Sequence, residues 1–120
     1  GSDGLDEAST TGKTKVVALA NGAVTEFTIS PADIGVETIS INALRGGTPA
    51  ENAESLRAVL KGAEGPYRDV VLLNAASALV AGGHEQTLQR GAERAADAIS
   101  DGKALSALDR LIFITNSEDQ

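Results

Sequence analysis

Thr14-Lys15-Val16-Val17-Ala18-Leu19-Ala20, then Asn21-Gly22, then Ala23-Val24-Thr25-Glu26-Phe27-Thr28-Ile29 is the stretch with the clearest local code. Two runs rich in β-branched side chains flank an Asn-Gly pair. Both residues of that pair tolerate the positive φ of a two-residue turn, so an antiparallel hairpin is predicted over 14–29. A lone pair of strands is marginal in water. Partner strands for this hairpin are therefore expected outside the chain.

Downstream the code changes from alternation to caps and helical stripes. Ser30-Pro31-Ala32-Asp33 offers a cap, a first-turn proline and an early acid, which predicts one helical turn stopped by Gly35. Ile39 and Ile41 alternate weakly and predict a short extended segment within 36–44, before Arg45-Gly46-Gly47 turns the chain. Thr48-Pro49-Ala50-Glu51 matches the capping box and opens a helix over about 49–61, with Ala53, Leu56, Val59 and Leu60 on one face. Three further helices are predicted over about 66–81, 85–101 and 103–113, parted by Gly82-Gly83 and Gly102. The first of them is apolar through Val70–Leu73 and Ala75–Ala81 and is expected to be buried on most sides. The second carries the stripe Leu88, Ala92, Ala95, Ala96 and Ile99, and the third Leu105, Leu108 and Leu111. From Thr115 to Gln120 the chain turns polar and acidic, and is expected to fray. The class is α/β.

Composition narrows the partners. Of 120 residues, 10 are basic and 17 acidic, for a net charge of −7. That balance disfavours a grip on nucleic acid or an anionic membrane, both of which need a cationic surface. No apolar run approaches the roughly 18 residues of a membrane helix, and a cytoplasmic location is expected. Cysteine is absent, which removes disulfides, thiolate metal sites and cysteine nucleophiles. The aromatics are Phe27, Tyr67 and Phe113, so the core must be built from Ala, Val, Leu and Ile. Small side chains contribute little burial each, and a thin core that benefits from a neighbouring domain is expected.

One cluster is dense in potential ligands: Asp3-Gly4-Leu5-Asp6-Glu7. Adjacent carboxylates on a loop can face one cleft, and oxygen-only ligands suit Mg²⁺, which takes one or two protein carboxylates plus waters and phosphate. Acids near a terminus are also commonly just solvated. His84 is the sole histidine and has no second histidine for a metal pair, which leaves it a surface or capping role. Gly46-Gly47 and Gly82-Gly83 lack the spacing of a phosphate loop, and Gly12-Lys13-Thr14 precedes a strand where such a loop needs a helix.

The order of segments says more than any one of them. Asp3-Gly4-Leu5-Asp6-Glu7, Thr11-Gly12-Lys13-Thr14, the Asn21-Gly22 hairpin, Ser30-Pro31-Ala32-Asp33 with Gly35, Leu44-Arg45-Gly46-Gly47, Glu51-Asn52-Ala53 and Tyr67-Arg68-Asp69-Val70-Val71-Leu72-Leu73-Asn74-Ala75-Ala76 follow one another. Together they resemble the C-terminal portion of the anthranilate phosphoribosyltransferases, members of the class II nucleoside phosphorylase-like superfamily. The resemblance runs from Gly1 to about Phe113, with the Asp-Gly-Leu-Asp-Glu and Leu-Leu-Asn-Ala-Ala segments its most specific parts.

It implies that residues 1–120 are the C-terminal segment of an α/β domain. It implies also transfer of the 5-phosphoribosyl group of phosphoribosyl pyrophosphate to anthranilate in tryptophan biosynthesis, by an enzyme that is commonly a homodimer. The family's acidic loop holds Mg²⁺ through an Asp-Glu pair, a role that falls here on Asp6 and Glu7, with Asp3 a loop residue behind them. The family's helical domain, its Gly-Thr-Gly-Gly-Asp diphosphate loop and its anthranilate-contacting arginine belong to a preceding portion. This chain alone is therefore expected to be catalytically silent. Two other readings stand beside this one: a small acidic interaction or regulatory module derived from the family, and a phosphorylase-like relative with another acceptor.

Overall fold

The structure, a computed structural model, describes residues 1–117. Asn21 and Gly22 adopt φ of 51° and 77°, the left-handed pair that a tight hairpin turn requires. Strands β1 (Thr14–Ala20) and β2 (Ala23–Ile29) pair antiparallel around it, with Thr14 opposite Ile29 and Ala20 opposite Ala23. They form a two-stranded sheet, with no third strand among the described residues. The hairpin is buried at its base and bare at its tip: Thr14 and Ile29 are buried, whereas Leu19 is 75% exposed. Lys15 and Glu26 pair across the exposed face at 2.9 Å.

Two short 3-10 turns follow, Pro31–Ile34 and Ile41–Leu44. The first closes where expected, on Gly35 at φ 77°. The second replaces the extended segment expected within 36–44. Ser40 explains the difference, because its hydroxyl accepts the Asn42 N–H at 3.3 Å and offers the backbone a turn instead of a ladder.

Helices α1 (Pro49–Leu60), α2 (Pro66–Ala81), α3 (Leu88–Ser100) and α4 (Lys103–Asn116) complete the chain. The capping box of α1 is formed as predicted: the Glu51 carboxylate accepts Thr48 N–H at 2.7 Å, and Thr48 Oγ1 accepts Glu51 N–H at 3.3 Å. α3 begins at Leu88 rather than Glu85, because Thr87 is the residue that caps it, accepting the Arg90 N–H. α4 continues past Phe113 to Asn116. Its last turn is supported from within, by Thr115 Oγ1 donating to Leu111 O and Asn116 Nδ2 to Ile112 O. The fraying expected of the tail falls partly on residues 118–120, which lie outside the described residues.

Val59, Leu72, Ala76, Ala92 and Ile99 make the buried cluster between the helices. α2 and α3 meet closely where Gly91 passes Ala76. A Cβ on Gly91 would lie 2.8 Å from Ala76 Cα, so the crossing requires a residue without one. The cover over α2 is less than its sequence suggested: Leu72, Leu73 and Ala76 are its buried residues, while Val70, Val71, Leu79 and Val80 are only half-buried. Ala53 and Leu56 of α1 and the run Leu111–Ile114 of α4 are exposed. The core is thin, in keeping with the scarcity of large side chains.

Candidate metal centre

Residues 1–13 contain no helix or strand, yet hydrogen bonds fix much of their path. Ser2 N–H donates to Lys13 O at 3.1 Å and closes the loop at its base. The Asp3 carboxylate is the knot inside it, accepting from Ser9 Oγ, from Thr11 Oγ1 at 2.7 Å and from Leu5 N–H at 3.0 Å. Ser9 N–H in turn donates to Thr14 Oγ1 at 2.9 Å, which ties the knot to the first residue of β1. Ser9 and Thr10 are buried as a result.

Those donors stabilise the charged form of Asp3. The Ser9 hydroxyl, then the Thr11 hydroxyl and the Leu5 N–H, hold its carboxyl down at about 2. A carboxyl depressed in the folded state adds stability above its unfolded pKa of about 4, and that stability is lost as pH falls toward the folded value. Asp3→Asn is therefore expected to lower stability at pH 7, with the gap from the parent closing between about pH 4 and pH 2. Urea midpoints taken across that range check this; a gap independent of pH would contradict it.

Asp6 and Glu7 sit beyond the knot, both exposed. Among the described residues no salt bridge uses either carboxylate, and no group of three or more ligand-type side chains includes them. Their lone pairs face solvent, whereas those of Asp3 are spent inside the loop. The chain is caught again one residue later, where Asn74 of α2 binds the backbone of Ala8 on both its N–H and its C=O. In the sequence Asn74 is a polar break in an apolar helix, within the Leu-Leu-Asn-Ala-Ala segment of the family resemblance, and its grip on Ala8 follows only from the fold.

Beside the loop lies an open groove of about 360 Å³, lined by Leu5 and Glu7 on one wall and by Leu44, Tyr67, Val70 and Val71 on the others. A second groove of about 270 Å³ continues from Tyr67, Val70 and Val71 to Gly46 and Asn52. Asn52 there holds Gly47 by both backbone groups, at 2.8 and 3.1 Å. Tyr67 Oη donates to Arg45 O at 2.7 Å and pins the turn that separates the two grooves. Glu7 thus stands at the rim of a shallow surface rather than inside an enclosed cleft, and Asp6 is exposed next to it in the loop. His84 is exposed after α2, with its carbonyl accepting from Arg94, and Lys13 is exposed ahead of β1. Neither joins the acids.

This architecture belongs to a known class. Residues 1–105 match the glycosyl transferase family, a/b domain, and the chain is a member of that family. Within it, the chain is 52% identical over 116 residues to the anthranilate phosphoribosyltransferase of Methylocella silvestris, covering 97% of this chain and 33% of that protein. It is 51% identical over 117 residues to that of Methylobacterium nodulans, covering 98% and 35%. Solved structures agree. Anthranilate phosphoribosyltransferase from Thermus thermophilus superposes with a TM-score of 0.79 at 30% identity, over 89% of this chain and 32% of that one. The Saccharomyces cerevisiae enzyme in complex with PRPP and Mg gives 0.75 at 29%, over 91% and 31%. The chain spans about a third of the length of these relatives.

Proposed function

We propose that this chain is the C-terminal segment of the α/β domain of an anthranilate phosphoribosyltransferase, and that Asp6 and Glu7 are its Mg²⁺-binding residues. The observation that carries the reading is the contrast within one loop: Asp3 is consumed by three internal donors, while the two acids after it keep their oxygens free. The donor set suits the metal, since Mg²⁺ takes one or two carboxylates and completes its shell with waters and phosphate oxygens. When bound, Mg²⁺ would offset the negative charge that builds on pyrophosphate as it leaves the ribose carbon. The chain's own part is to present Asp6 and Glu7 from a loop anchored at both ends, so that little ordering is left for the moment of binding. Its substrates would be phosphoribosyl pyrophosphate and anthranilate, its setting the cytoplasm, and its assembled form a homodimer.

Positioning two substrates needs surfaces that a pair of carboxylates and two shallow grooves do not offer. The chain alone is therefore expected to give no turnover of anthranilate with phosphoribosyl pyrophosphate and Mg²⁺, followed by anthranilate fluorescence. A hybrid in which it replaces the matching third of the Methylocella silvestris relative is expected to be active. Turnover by the chain alone, or a folded but inactive hybrid, would count against the reading.

A further inference from the structure

Ala8, the residue directly after Glu7, is gripped on both backbone groups by a single side chain. Its N–H donates to Asn74 Oδ1 and its carbonyl accepts from Asn74 Nδ2, each at 2.9 Å. The same Nδ2 donates to Val70 O, also at 2.9 Å, one turn back along α2. The amide thus uses an acceptor and both donor hydrogens at once, which fixes its orientation, because a flipped amide would set donor against donor. The grip crosses 66 residues of sequence and lands on a helix whose preceding residue, Leu73, is 0% exposed. On the other side of the acids the loop is held by Asp3. Its freedom is therefore confined to the few residues that include Asp6 and Glu7.

We propose that Asn74 is a positioning residue for the Asp6–Glu7 pair: by clamping both polar groups of Ala8 it sets the backbone from which the two carboxylates project. This rests on the reading of that pair as the Mg²⁺ ligands. A carboxylate serves a metal only when held close to the required geometry, and loss of the groups that orient ligands typically lowers metal affinity or activity by about 10–100-fold. Asparagine is matched to the task. Aspartate of the same shape keeps the acceptor for Ala8 N–H but has no donor for the carbonyls of Ala8 and Val70. Glutamine is longer by a methylene and would push the loop off the helix.

The test uses the active hybrid, with Mg²⁺ alone as the titrated probe. Asn74→Ala is expected to raise the Mg²⁺ concentration for half-maximal velocity by about tenfold or more. Asn74→Asp is expected to move it in the same direction, and carries the test should the alanine variant not fold. Ser77→Ala is the control: Ser77 Oγ donates to Leu73 O at 2.8 Å, so it removes a side-chain bond from the same helix without touching the loop. The Mg²⁺ requirement should stay at the parent value in it. Amide exchange over Leu5–Ala8 should quicken in the Asn74 variants and not in Ser77→Ala. An unchanged Mg²⁺ requirement in the Asn74 variants, or an equal rise in the control, overturns the positioning role. Asp6→Ala with Glu7→Ala separates the two levels. If that variant shifts the requirement and the Asn74 variants do not, only the clamp falls; if it too leaves the requirement unchanged, the metal reading falls and the clamp with it.

Discussion

Replacing both Asp6 and Glu7 by alanine in the hybrid enzyme is expected to lower kcat/KM by about 10²–10³-fold, the range seen when a group that stabilises developing charge is removed. Charge accumulating on a departing diphosphate would be met by a cation, and on the proposed reading the acids would hold that cation in place. Both are exposed and free of ion pairs among the described residues, so their removal should cost the fold little. The loss should therefore appear as catalysis and metal dependence, with the unfolding midpoint nearly unmoved. Each single variant is expected to lose most of what the double loses, because two ligands of one ion act as a unit and their effects are not additive. Asp6→Asn with Glu7→Gln, which keeps shape and removes charge, should resemble the alanine pair. Higher Mg²⁺ should restore part of the rate if binding is what was weakened. A double variant with the parent's velocity and Mg²⁺ requirement would end the assignment.

What was legible in the sequence was what is local. Asn21-Gly22 specifies its turn through two positive φ angles, and Thr48 with Glu51 specifies a helix start through two reciprocal hydrogen bonds within four residues. The structure departs from the expected elements where two local codes compete. Ile39 and Ile41 alternate like a strand, but Ser40 lies between them, and with no partner strand its hydroxyl turned the next residues into a 3-10 turn. Likewise the helix predicted over 85–101 starts three residues too early, because Thr87 is the residue that caps it. The candidate site divides the same way. Asp6 and Glu7 stand out as adjacent potential ligands, but nothing near them in sequence distinguishes the spent carboxylate of Asp3 from the free ones. That distinction depends on Ser9 and Thr11 folding back, and the second anchor depends on Asn74, 66 residues away from Ala8. Helical period likewise marked the apolar face of α1 correctly as a face, but it carries no information on whether anything covers it. Val59 is buried, and Leu56, one turn earlier, is 46% exposed.

Leu73→Ala in the 120-residue chain is expected to cost about 2–5 kcal/mol, and Leu111→Ala less than about 0.5 kcal/mol. Both replace leucine by alanine inside a helix, so the small gain in helix propensity is shared and drops out of the comparison. What remains is burial. Leu73 is 0% exposed and Leu111 is 57% exposed. Removing the first leaves a cavity that its neighbours refill only in part, whereas water already covers much of the second. Against a total stability of about 5–15 kcal/mol for a typical domain, the Leu73 change is a large fraction. It should also reach the acid loop, since Leu73 adjoins Asn74 on α2 and a slackened helix there loosens the grip on Ala8. Urea unfolding of the three proteins, followed by far-UV circular dichroism, gives the comparison. In the hybrid, the exposed run Leu111–Ile114 is expected to be covered by the rest of the transferase, and Leu111→Ala to become clearly destabilising there. Equal midpoint shifts for the two variants in the chain would mean that burial does not set the stability of α2. A Leu111 variant as silent in the hybrid as in the chain would mean that the bare end of α4 belongs to the surface of the complete enzyme.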